Sequence, residues 1–294
     1  MADQGSTVPR RQLGRALREL RDNARMAPRD AAAALEISVS TLHRYEAGQT
    51  ALRAVEVEHM CRLYGASPEM TEALMGLARE TKARGWWHAY GDSIPRWFQF
   101  YVGLESAASR LRQFEPDLMP GLLQTKEYAT AVLRLDDSKT SDEEIEQRVA
   151  ARLQRQRLLY RRIPPAPQLE VILGEVALRR SLDDRGAMAE QLRHVNEVTA
   201  LPNFVTRVLP LGVGLHRAAG IGSFTILEFP GTGNGRDSEP PTVYSDSLTG
   251  SIYLDKDNEV AAYNSVWEEI TALSLDESHS KDLIAEIAEE YGRS

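Results

Sequence analysis

Residues 24–65 read ARMAPRDAAAALEISVSTLHRYEAGQTALRAVEVEHMCRLYG. The stretch holds two short apolar-periodic segments separated by a tight turn. Pro28 suits the first position of a helix, where a missing N–H costs nothing. Ala31, Ala32 and Leu35 then share one face. Glu36 and Ile37 make the turn. Ser38 or Ser40 caps the next helix, and Gly48 ends it with the backbone freedom a helix stop needs. Leu42 and Tyr45 fall inward, which leaves Val39, Ser40, His43 and Arg44 on the outer edge.

The same periodicity extends on both sides. Leu13, Leu17 and Leu20 mark a helix over residues 10–23, and Val57, Met60, Cys61 and Tyr64 line one over 54–64. Ser67-Pro68-Glu69 supplies a cap, a proline at the first position and an acid in the first turn, opening a fifth helix that reaches Lys82. Five short helices with an exposed polar helix among them form a shape that a DNA major groove accepts.

Charge points the same way despite a net of −8. Residues 10–53 carry nine arginines against five acids, and residues 255–294 carry eleven acids against three bases. A basic end and an acidic end suggest two tasks, of which only the first faces phosphate, although charge alone reads as readily as solvated helix faces. On the outer edge, Ser38, Ser40 and Thr41 offer hydroxyls to a phosphate or base edge, Arg44 suits O6 and N7 of guanine, and Val39 suits a thymine methyl. His43 reads equally as a phosphate contact or as an idle exposed ring. Arg29 lies at the start of the preceding helix, where backbone amides favour a phosphate. Arg15, Gln49 and Arg53 are placed to flank the DNA backbone.

The run ISVSTLHRYEAG, with Glu46 and Gly48, resembles the helix-turn-helix of the Xre (Cro/C1-type) family, and the resemblance covers residues 13–65. It implies a five-helix, lambda-repressor-like domain in which positions matching Val39, Ser40, Thr41 and Arg44 approach bases or the nearby backbone. Two positions depart from the family pattern. Pro28 stands where glutamine is usual, and Glu36 replaces the turn glycine and brings a negative charge near the groove.

A second domain follows, and the boundary is expected near Lys82–Gly85, giving domains 10–82 and 86–294. The segment from Gly85 to Tyr101 holds Trp86, Trp87 and Trp97, so it is expected to pack against something large as an interdomain core or to wall a ligand pocket. A helix is expected from Trp97 to Phe114, with others over 125–135, 141–162, 185–200, 257–274 and 277–290. Strands are expected at 169–173, 204–209, 223–229, 241–245 and 251–254, forming an antiparallel set. The fold class is therefore α+β, a five-helix DNA-binding domain followed by a mixed helical and antiparallel-sheet domain. This second part resembles the large C-terminal domain found behind such helix-turn-helices in actinobacterial developmental and antibiotic regulators. The carriers are Trp97–Ala108, the EPDLMPGLLQTKEY run of 115–128, GEVALR of 174–179 and Gln191-Leu192. The resemblance implies a small protein partner encoded nearby, in an arrangement likened to toxin–antitoxin pairs. Pro120 and Gly121 in the PGLLQT stretch belong to a structural turn or to a partner surface.

The remaining chemistry is sparse. One cysteine, Cys61, excludes an internal disulfide framework and reads as a small buried thiol. The six histidines form no H-x-x-x-H or H-E-x-x-H pair, and Gly231–Gly235 lacks the lysine and helix of a phosphate loop. No cofactor, no metal and no catalytic residue is expected. No apolar run reaches the roughly 18 residues of a membrane span, and the first ten residues lack a signal-peptide stretch, so a cytoplasmic location is expected. The expected partners are double-stranded DNA and a second copy of the chain. The alternative reading is an antitoxin-like interaction protein that sequesters a small partner, with DNA binding secondary.

Overall fold

The structure, a computed structural model, describes residues 8–48, 50–80, 96–136, 140–162, 164–230, 240–247 and 250–293. The chain divides into two compact units. The first takes in residues 8–80 and the helix Arg96–Ala107, and the second runs from Ala108 onward. The expected boundary at 82–86 lies outside the described residues. The helix Arg96–Ala107, placed by the sequence in the second domain, groups with the first unit.

The first unit opens with five helices close to their expected spans: α1 (Val8–Asn23), α2 (Pro28–Ala34), α3 (Val39–Glu46), α4 (Ala54–Tyr64) and α5 (Pro68–Glu80). Their apolar faces meet in one core that includes Leu13, Leu17, Ala31, Leu42, Val57 and Met60. Cys61 is fully buried in it, and burial pushes its thiol pKa up. Three of the helices end in the same way. Arg25, Glu36 and Gly65 have φ of 52°, 56° and 72°. In each case the next amide reaches back to a carbonyl five residues earlier: Met26 to Arg21, Ile37 to Ala32 and Ala66 to Cys61. This arrangement satisfies carbonyls that a helix end leaves without partners. The sixth helix, α6, is Arg96–Ala107.

The second unit is built on a six-stranded sheet in the order β3-β2-β1-β4-β5-β6. The strands are β1 (Arg110–Glu115), β2 (Gln168–Gly174), β3 (Phe204–Leu209), β4 (Phe224–Glu228), β5 (Thr242–Ser247) and β6 (Gly250–Leu254). Between β1 and β2 lie α7 (Lys126–Asp136) and α8 (Asp142–Arg155), and between β2 and β3 lie α9 (Glu175–Arg179) and α10 (Arg185–Val198). The chain closes with α11 (Asp257–Leu273) and α12 (Glu277–Gly292).

Two corrections to the sequence reading concern β1. The helix expected from Trp97 to Phe114 stops at Ala107, and Leu111 lies on a strand. The sheet is also mixed. β1 pairs with β2, and β2 with β3, in parallel, while β1–β4, β4–β5 and β5–β6 are antiparallel. Helical crossovers join the three parallel strands, as parallel pairing requires. In register, Phe114 stands opposite both Ile172 and Phe224. These three pack with Val266, Trp267 and Ile270 of α11 on one face of the sheet. Charge follows the same face toward the start of β1: Arg110 bonds Glu170 at 2.7 Å, and Arg112 bonds Glu228 at 2.7 Å and Asn264 at 2.6 Å. By strand alternation Leu111, Val171, Leu173, Val208 and Leu227 face the other way, and they too are buried.

The PGLLQT stretch is an interior turn. Pro120 is buried, Gly121 is half-buried, and Arg155 lies 3.1 Å from where a Cβ on Gly121 would sit. Gln191 is fully buried; its amide donates to the Leu123 carbonyl and its oxygen accepts from the Thr125 amide, both at 2.7 Å. Gln124 donates to the Met119 carbonyl at 2.7 Å and accepts from Arg152 at 2.6 Å. Buried polar groups so paired specify one geometry for the turn. Of the two readings of this stretch, packing supports the structural one.

Candidate nucleic-acid interface

The candidate interface is the α2–turn–α3 unit. Pro28 starts α2 without a side-chain cap, and Arg29 is exposed beside it. After Glu36 and Ile37 the chain reaches Ser38, which is the N-cap of α3 with φ −76° and ψ 151°. Its Oγ accepts from the Thr41 amide at 3.1 Å. The sequence left Ser38 and Ser40 open as caps, and Ser38 takes the role. Ser38 Oγ also lies 2.9 Å from Ser40 Oγ and 2.8 Å from Thr41 Oγ1, and Arg44 donates to Thr41 Oγ1 at 3.4 Å. Exposed Ser38, Ser40 and Arg44, with half-buried Thr41, thus form one hydrogen-bonded edge. Val39, 38 % exposed, and His43, also exposed, belong to the same short helix.

The opposite edge of α3 is locked to α1. Leu42 has no exposed surface. Glu46 meets Arg21 in a two-pronged pair, Nε to Oε1 at 2.6 Å and Nη2 to Oε2 at 3.1 Å. The two side chains are only 5 % and 4 % exposed. Arg21 also donates to Asp22 at 2.6 Å and to the Met26 carbonyl at 3.0 Å. The Glu46 partnership raises the Arg21 pKa despite burial. Beside the pair, burial first and Glu46 second push the Tyr64 hydroxyl up to about 12.

Two glycines allow the approach. A Cβ on Gly14 of α1 would stand 2.5 Å from the carbonyl oxygens of both Tyr45 and Glu46. One on Gly48 would stand 2.6 Å from Arg11 Cα, and Gly48 has φ +66° as well. Backbone contact of this kind needs glycine. The C-terminal end of α3 is therefore pinned, and its N-terminal end is directed outward.

The other expected residues fall in different situations. Arg53 is the N-cap of α4; its guanidinium is held by Glu56 at 2.9–3.0 Å and its amide donates to the same carboxylate at 2.6 Å. Gln49, Trp86 and Trp87 lie outside the described residues, and Trp97 lies in α6. The sequence reading missed Arg21 and Gly14 as positioning residues. Arg21 gave no signal beyond being one of many arginines, since its partner is 25 residues away. Among the described residues no cluster of histidine, cysteine or acid could hold a metal, and no helix is long and apolar enough to cross a membrane.

Comparison with known families adds two matches. Residues 12–74 match the family described as helix-turn-helix domain, which supports a DNA-binding regulator. Residues 98–286, more than half of the chain, match a family described as a domain of unknown function, DUF5753. The chain belongs to the DUF5753 family. No curated protein and no solved structure matches it. In this DUF5753 chain the helix-turn-helix match spans all of α2 and α3, together with the α1 and α4 residues that hold them.

Two stability predictions follow from this geometry. Replacing Glu46 with alanine leaves the buried Arg21 without its main partner and is expected to cost about 3 kcal/mol, read as a lower denaturation midpoint of the full chain. Replacing Glu36 with glycine relieves a left-handed conformation that disfavours a Cβ, and is expected to stabilise the chain by about 1 kcal/mol. The same Glu36→Gly chain should bind duplex DNA more tightly, most clearly at low salt, because an exposed carboxylate just before α3 is removed. An unchanged midpoint together with unchanged affinity would show that Glu36 carries neither cost.

Proposed function

We propose that this chain is a sequence-specific transcriptional regulator of the Xre (Cro/C1) type that reads double-stranded DNA with the exposed edge of α3. The observation that carries the reading is the division of that helix into two edges. Leu42 and Glu46 are buried against the bundle, while Ser38, Val39, Ser40, His43 and Arg44 face solvent. A helix built this way presents donors, acceptors and one apolar group to a major groove. Thr41, half-buried, ties the edge together and orients Arg44. Arg29 at the start of α2 supplies a phosphate contact.

One such helix reads too few base pairs for useful specificity, so two copies act as a homodimer on a two-fold operator. The second unit serves as the regulatory part and receives a small protein encoded nearby or another effector. In this reading the protein works in the cytoplasm, needs no cofactor and catalyses no reaction. The antitoxin-like alternative draws on the acidic 255–294 segment and on exposed Glu36, both of which oppose phosphate.

A genome-wide binding map gives the operator. On that operator, Arg44→Ala is expected to weaken binding by about 1–3 kcal/mol if the arginine bridges a guanine, and to relax preference at that one base pair. Ser40→Ala should weaken binding less. No enriched site genome-wide, with a stoichiometric protein complex instead, would favour the alternative. Unchanged operator affinity in both variants would mean that α3 is not the reading helix.

A further inference from the structure

We propose that Arg157, Tyr160 and Arg162 of the second unit, with Arg161 between them, form a further contact to the phosphate backbone of double-stranded DNA. The proposal rests on the DNA-binding reading above and adds a surface outside the helix-turn-helix.

Between Gln147 and Leu169 the chain has six arginines and no aspartate or glutamate, in a protein whose net charge is −8. The structure separates the six into two sets. Arg148 pairs with Glu144 at 2.6 Å, Arg152 donates to Gln124, and Arg155 is buried. The other three lie in and just after the 3-10 segment Gln156–Tyr160. Leu158 and Leu159 are buried and anchor that turn. Arg157 and Arg162 are exposed and have no carboxylate partner among the described residues. Arg161 donates to the carbonyls of Pro164 at 2.8 Å and Pro165 at 2.9 Å, which fix the direction of its guanidinium. Tyr160 is 58 % exposed.

Guanidinium groups and a tyrosine hydroxyl on a turn anchored by two buried leucines are donors of the kind that hold phosphate oxygens. The first unit leaves room for such help. Between Val8 and Glu80 there are eleven arginines and ten acids, so that unit is close to neutral. Several of its arginines face acids already: Arg18 with Asp22, Arg21 with Glu46, Arg53 with Glu56 and Arg62 with Glu58. Affinity for duplex DNA depends on cations that displace counterions from phosphates. The acid-free stretch in the second unit adds such cations to exposed Arg29 and Arg44 of the first.

The test uses the full chain and a fluorescent random-sequence duplex of about 30 base pairs, titrated from about 50 to 200 mM KCl. The double variant Arg157→Gln with Arg162→Gln is expected to flatten the slope of log affinity against log salt by about 2, at about 0.9 per phosphate contact. A control, Lys256→Gln with Arg293→Gln, removes the same charge at two other exposed positions and is expected to keep the wild-type slope. Thermal unfolding that coincides with wild type confirms that both variants fold. A wild-type slope in the first variant, or an equal flattening in the control, would overturn the proposal while leaving the helix-turn-helix reading intact. A wild-type chain that binds no duplex at any salt would overturn both.

Discussion

The direction of α3's exposed edge depends on one buried ion pair. Arg21 on α1 and Glu46 at the last position of α3 are both almost fully removed from water, and they meet through two hydrogen bonds. A buried pair of this kind adds little net stability, because both charges lose their hydration. Its effect is on geometry. The planar guanidinium donates to the carboxylate in one orientation, so the end of α3 has one place to sit on α1. Gly14 and Gly48 bring the backbones close enough for the pair to form. An eight-residue helix is too short to be stable alone. This one is held at its C-terminal end by α1 and at its N-terminal end by the Ser38 cap.

The polar edge of α3 follows from that anchorage. With Leu42 and Glu46 inward, helical spacing turns Val39, Ser40, His43 and Arg44 outward. The turn before α3 uses a less comfortable residue. Glu36 takes a left-handed conformation that glycine would adopt freely, and it keeps its carboxylate exposed. With glutamate at this position the chain reversal is held by backbone hydrogen bonds at 3.0–3.2 Å, from Ile37 to Ala32 and from Glu36 to Ala33.

Most of the first unit was readable from the sequence because its signals are local. Caps, prolines and glycines mark the ends of α2 to α5, and leucines at helical spacing mark α1. The helix-turn-helix edge was readable for the same reason. The pair that positions it was not, since no local pattern ties Arg21 to Glu46. In the second unit β2 to β6 were readable from their alternation, but β1 was not. Its sequence RLRQFE places Leu111 four residues after Ala107, which imitates a continuing helix. Its arginines look like solvent-facing residues, yet they pair with Glu170 and Glu228 on the neighbouring strands. The parallel half of the sheet also escaped the reading, because strand direction is set by partners 58 residues apart in sequence, such as Arg110 and Gln168. The PGLLQT turn showed two readings, and only the buried Gln191, distant in sequence, separates them.

The central claim is that the edge beginning at Ser38 lies against duplex DNA. It is tested most directly by photo-crosslinking from single positions in the full chain bound to its genomic site. A benzophenone amino acid at Val39 should capture the DNA, and the same group at exposed Met70 on α5 should not. Capture from Met70 with none from Val39 would contradict the account.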